Sequence, residues 1–295
     1  MTSIEFFKTT EHHLEKLAHE KGISDLSRYY ELTDYHQGSF LNSYSGMVKV
    51  FAQIAFHAQN ATLVSNIVCF ERNVEFLSEN LCGFNPTLFC EEFKSDEREE
   101  SVKKIVEKLR FNQQTGKGLK WNSQKSKSGK KDTIMCRYAN TLIDAAEFLK
   151  KYQSRTEFLN ALLKRYEHNN YKGVIAFFRN NISHGFSIAL TCDFLKEFDA
   201  AFSDLPKPDI HIKDTLCSFL GHERNYYNTE KKELECIEDM QRIVKEINDA
   251  LSQDKKITVY KFDRMIWLIC SGNFYLDDIA DYKNRYLREI KEEDK

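Results

Sequence analysis

The stretch Tyr171–Gly221, YKGVIAFFRNNISHGFSIALTCDFLKEFDAAFSDLPKPDIHIKDTLCSFLG, decides the fold, because it reads as three helices joined by two short turns. Its first helix is apolar on one face at Val174, Ile175, Phe178 and Ile182, and ends in Ser183-His184-Gly185-Phe186-Ser187. A second amphipathic helix follows at once, with Leu190, Phe194, Leu195, Phe198 and Phe202 at helical spacing. Two prolines in Leu205-Pro206-Lys207-Pro208-Asp209 forbid its continuation, and Asp209 stands where it caps a third helix, Ile210 to Leu220, closed by Gly221.

The same periodicity extends outward in both directions. An N-terminal helix forms around Leu14 and Leu17, and a strongly apolar one starts at Ser45 with Val48, Phe51, Ile54 and Ala55 on one face. Further helices are expected near Leu63–Asn80, Glu97–Arg110, Met135–Tyr152, Thr156–Tyr166 and Glu230–Leu251, with a final one at Tyr260–Cys270. Asn85-Pro86 reads as a turn. With three prolines, eleven glycines and no strand-period run, the chain is expected to be all-α. Its 295 residues divide into an N/C-terminal lobe, 1–55 plus 210–295, and a central lobe, 56–209. No segment has the length of a membrane span or the pattern of a signal peptide, so a cytoplasmic protein is expected.

Eight cysteines never fall as Cys-x-x-Cys and read as buried thiols, and the nine histidines form no ligand-spaced pair; no metal is expected. A formal charge of -2 hides an uneven distribution. Residues 91–100 are acidic, whereas 117–131 hold six lysines and no acid. This basic insertion, 112–132, is either a solvated surface loop or a phosphate-contacting one, with Lys117 and Lys120 on phosphate and Trp121 near a base or ribose.

Helix, glycine turn, helix, loop and aspartate together resemble the helix-hairpin-helix DNA glycosylase superfamily. Gly185-Phe186-Ser187-Ile188-Ala189 overlays that family's Gly-x-Gly-x-Lys hairpin, and Asp209, twenty residues beyond Ala189, overlays its catalytic aspartate. The resemblance implies a two-lobed fold with Asp209 in the cleft between lobes, stabilising a cationic sugar and orienting the attacking water. It also implies that Ser183, His184, Gly185, Phe186 and Ser187 hold a DNA phosphate, that Lys213 contacts another, and that Gln59 and Asn60 fill the gap left by a flipped base. Gln113 and Gln114 are rivals for that last role. Ala189 replaces the Schiff-base lysine of some members, so a monofunctional glycosylase acting as a monomer on double-stranded DNA is implied. The cysteine spacing argues against the iron-sulfur cluster of some relatives; a monovalent cation at the hairpin is the one ion the family suggests.

Three functional classes follow from these readings. The first is a glycosylase, either excising glucosylated 5-hydroxymethylcytosine from phage DNA, as some bacterial relatives do in antiviral defence, or removing oxidised or alkylated bases in repair. The second is a non-enzymatic helix-hairpin-helix DNA-binding protein. The third is a helical interaction protein in which the hairpin is an accident of packing.

Overall fold

The computed structural model describes residues 1–20, 22–26, 41–60, 67–110, 114, 118–119, 134–271 and 279–291. Among them the helices are α1 (Ser3–Glu20), α2 (Gly46–Asn60), α3 (Ile67–Asn80), α4 (Pro86–Glu92), α5 (Arg98–Leu109), α6 (Ile134–Leu149), α7 (Arg155–Tyr166), α8 (Tyr171–Asn181), α9 (Ile188–Phe198), α10 (Ile210–Leu220), α11 (Glu230–Ala250), α12 (Val259–Ser271) and α13 (Ile279–Ile290). The extended pairing among the described residues is a single bridge, Arg110 to Leu119. The fold is all-α.

The caps follow from the residues at the helix ends. Asn85 Oδ1 accepts from Thr87 N and Leu88 N at 3.0 and 3.1 Å, and Pro86 takes the first helical position, where its missing N–H costs nothing. The expected Asn-Pro turn is therefore the start of α4. Ser154 caps α7 by accepting from Glu157 N at 3.1 Å, while the Glu157 carboxylate reaches back to Gln153 N at 2.7 Å. Gly221 ends α10 in the left-handed region at φ 67°.

The chain divides into two compact units, Met1–Tyr35 with Leu195–Lys295, and His36–Phe194. The boundaries expected after residues 55 and 209 lie elsewhere: α2 belongs whole to the second unit, and the chain changes unit within α9. The core of the first unit draws Phe6, Leu14, Leu216, Met240, Phe262 and Tyr286 from five helices. Phe6 stacks on Phe219 at 4.3 Å and meets Phe262 edge-on at 5.1 Å. In the second unit α6 is the central helix, with eleven of its sixteen residues buried and α2, α4, α5 and α8 packed around it. No helix among the described residues is long and apolar enough to cross a membrane.

Candidate functional site

Three polar residues interrupt the apolar surface of α6: Asn140, Thr141 and Asp144, at spacings that put them on one side of the helix. Asp144 is 7% exposed, and a carboxylate that far from water needs donors. Arg98, the first residue of α5, supplies one set. Its Nη2 lies 2.6 Å from Asp144 Oδ1 and 3.1 Å from the Asn140 carbonyl, and its Nε donates to Asn140 Oδ1 at 2.6 Å.

The turn between α8 and α9 supplies the other. Ser183 N and His184 N donate to Asp144 Oδ2 at 3.0 and 3.1 Å; Ser183 Oγ lies 3.1 Å and His184 Nδ1 2.7 Å from the same oxygen. Thr141 Oγ1 donates to the His184 carbonyl at 2.6 Å. The next residue, Gly185, has φ 79°, and a Cβ there would lie 2.2 Å from Thr141 Oγ1, so glycine is required both by conformation and by space. Phe186 is 4% exposed, its ring 5.3 Å from that of Phe178 and 6.5 Å from that of Phe194. Ser187 Oγ accepts from Leu190 N at 3.2 Å and caps α9.

This geometry changes the reading of the hairpin. The amides of Ser183 and His184, expected to hold a DNA phosphate, are bound to a carboxylate of the chain itself, and Phe186 is core. Burial pushes the Asp144 carboxyl up, but hydrogen bonds from His184 and Arg98, with the Arg98 charge, outweigh it and hold the group below its ordinary value. An ionised carboxylate only accepts, so His184 Nδ1 carries the proton and donates, leaving Nε2 as the ring's proton acceptor. The His184 side chain is 45% exposed. Ser183 Oγ lies 3.1 Å from Nδ1, the nitrogen already committed to Asp144, so serine, histidine and aspartate do not form a nucleophilic relay. The arrangement leaves Nε2 to exchange a proton, with the Arg98 guanidinium held 3.4 Å from the ring's other nitrogen, Nδ1.

The remaining expected site residues lie elsewhere. Asp209 caps α10, its Oδ1 accepting from His211 N and Ile212 N at 2.9 and 3.2 Å, while Oδ2 is 3.9 Å from Lys207 Nζ. Burial pushes the neighbouring His211 imidazole down, an effect Asp209 only partly offsets. Lys213, expected on a phosphate, is instead partly buried in an ion pair with Glu233 of α11. Gln59 and Asn60 are the last residues of α2, and their side chains lie outside what is described. Gln114 is an exposed turn residue; Gln113, Lys117, Lys120 and Trp121 lie outside the described residues. No group of three or more His, Cys, Asp or Glu among the described residues is placed to hold a metal ion. Cys192, Cys217, Cys236 and Cys270 are buried.

Arg98 and Asp144 are the residues that sequence reasoning misses. Asp144 leaves a signal, since it is the one acid within Leu142-Ile143-Asp144-Ala145-Ala146, where a buried charge demands a partner. Arg98 leaves none, standing in a charged run 46 residues from Asp144. Comparison of the chain with protein-family models, with curated proteins and with solved structures finds no match.

Proposed function

We propose that the protein is a ribonuclease whose acid–base residue is His184, oriented by Asp144 and assisted by Arg98. The observation that carries this reading is the 2.7 Å contact of His184 Nδ1 with a buried, ionised Asp144 that also holds Arg98. Imidazole exchanges protons near neutral pH, and a guanidinium favours the extra negative charge of a phosphorane. RNA brings its own nucleophile, the 2′-hydroxyl, next to the bond to be cut. The 2′-oxygen bonds to phosphorus and the P–O5′ bond breaks; the 2′-proton passes to Nε2, and the departing 5′-oxygen takes a proton from water. The products are a 2′,3′-cyclic phosphate and a 5′-hydroxyl. A second guanidinium, Arg179, sits in the last turn of α8, five residues before His184.

A second reading keeps Asp209 as the catalytic carboxylate of a monofunctional DNA glycosylase that binds double-stranded DNA in a cleft between two lobes. What favours it is that capping uses Oδ1, while Oδ2 has, among the described residues, the 3.9 Å approach of Lys207. The hairpin amides bound by Asp144 and the pairing of Lys213 with Glu233 weigh against it.

One experiment separates the two. Labelled single-stranded RNA, and duplex DNAs including glucosylated phage DNA, are incubated with wild type, His184→Ala and Asp209→Asn. The ribonuclease reading expects cyclic-phosphate ends from wild type and Asp209→Asn but none from His184→Ala. Alkali-labile abasic sites in DNA, lost in Asp209→Asn and kept in His184→Ala, would overturn it in favour of the glycosylase.

A further inference from the structure

A cavity of about 560 Å³ opens beside the His184 cluster in the same unit, within the range of roughly 300–1,000 Å³ typical of small-ligand pockets. Arg98 belongs to both: it lines the cavity and is hydrogen-bonded to Asp144 and Asn140. One wall is the C-terminal half of α6 and the residue after it: Ile143, Glu147 and Lys150 are spaced so as to share one side. Phe93 and Lys94, from the end of α4, form the facing wall. The cavity therefore combines three cations, Lys94, Arg98 and Lys150, with three exposed carboxylates, Glu91, Asp96 and Glu147, of which Glu147 stands on α6, one turn past Asp144.

We infer that this cavity binds a guanosine nucleotide, and so selects the base next to the phosphate at which the 2′-oxygen, deprotonated by His184, attacks. Guanine carries two adjacent donors, N1–H and the N2 amino group, that match the two oxygens of a carboxylate such as Glu147; adenine, cytosine and uracil lack that pair. Lys94 and Lys150 suit a phosphate, and Ile143 suits an apolar face of the base. Only the assignment of the nucleotide's place relative to the cut rests on the ribonuclease reading. Binding to the cavity is measured without cleavage.

The test titrates 3′-GMP, 3′-AMP, 3′-CMP and 3′-UMP into the full-length protein by calorimetry, and maps cleavage of a mixed-sequence RNA in parallel. The expected result is that 3′-GMP binds about tenfold or more tighter than the others, a carboxylate contact being worth that much discrimination. Glu147→Gln then removes the preference, and Lys150→Ala weakens all four nucleotides alike. Because Glu147 on α6 and Lys150 just past its end are both exposed, both variants are expected to fold. No binding of any nucleotide, or a guanine preference that survives Glu147→Gln, overturns the inference. Guanine binding that depends on Glu147 without RNA cleavage would sink the ribonuclease and leave the cavity standing; cleavage with no Glu147-dependent preference would do the reverse.

Discussion

Asp144 is held at the meeting point of α5, α6 and the α8–α9 turn by donors from both sides, and its substitution has two separable effects. In Asp144→Asn the amide oxygen can still accept from the hairpin, but the charge that fixes the His184 tautomer is gone. In the ribonuclease reading, cleavage of RNA is expected to fall by about 10²- to 10⁴-fold in kcat with little change in KM, the range of a positioned acid–base group. The second effect is on stability. The folded Asp144 carboxyl lies below its ordinary value, so its contribution is fully present above an unfolded pKa of about 3.9 and is lost as pH falls through the folded value. Thermal melting of wild type and Asp144→Asn at a series of pH values is expected to show a gap in Tm at pH 6 that closes below about pH 4. A gap unchanged to pH 2 would mean that the carboxylate charge does no work in the fold. Gly185→Ala tests the other anchor: a methyl 2.2 Å from Thr141 Oγ1, on a residue at φ 79°, is expected to cost about 1–3 kcal/mol in urea unfolding.

Helices whose apolar face is wide are legible from periodicity alone, and the run α8, turn, α9, loop, α10 is read from Val174, Phe178, Phe194, the paired prolines and Asp209. Two helices escape for physical reasons. Asn85-Pro86 is equally good chemistry for a turn and for a helix start, and only the accepted Thr87 and Leu88 amides distinguish them. In α13 the apolar face is narrow: Tyr286 and Ile290 are buried among Lys283, Arg285, Arg288 and Glu289, and the periodic signal is diluted. The site is less legible than the fold, because Arg98, Asp144 and His184 meet only through tertiary packing. Asp209 illustrates the difficulty at this scale, since an N-cap and a catalytic carboxylate look alike in sequence. Asp209→Ala removes two bonds from the first turn of α10 and is expected to cost about 0.5–2 kcal/mol, whereas Asp209→Asn keeps an accepting oxygen and most of the stability. In the ribonuclease reading neither change alters RNA cleavage at 25 °C, which an activity assay on both variants checks.

At the scale of the whole chain, α9 begins in the unit that carries His184 and ends in the other, and Lys196 in its last turn is 1% exposed. Lys196 pairs with Asp263 of α12, also 1% exposed; Asp263 Oδ2 further accepts from Lys207 N at 3.2 Å, and Lys196 Nζ lies 5.5 Å from the Tyr260 ring centroid. Breaking so buried a pair by truncating one member takes a compensating charge from the other. Lys196→Met is expected to destabilise the unit Met1–Tyr35 with Leu195–Lys295 by about 3–5 kcal/mol. The double variant Lys196→Met/Asp263→Leu recovers most of that loss, short by about 1 kcal/mol for the hydrogen bond from Lys207 N. Urea unfolding of the single and double variants measures both quantities, and a double variant no more stable than the single one would mean that the pair is not the interaction being lost. The same proteins bear on function. Arg98, Asn140, Thr141, Asp144, Ser183 and His184 all belong to His36–Phe194, so the acid–base cluster is assembled within one unit. In the ribonuclease reading, Lys196→Met, assayed well below its melting temperature, is therefore expected to cleave RNA within about twofold of the wild-type rate, far inside the 10²-fold loss expected on removing the charge of Asp144. A drop as large as that of Asp144→Asn would place part of the active centre in the unit that holds Asp209, and would return weight to the glycosylase.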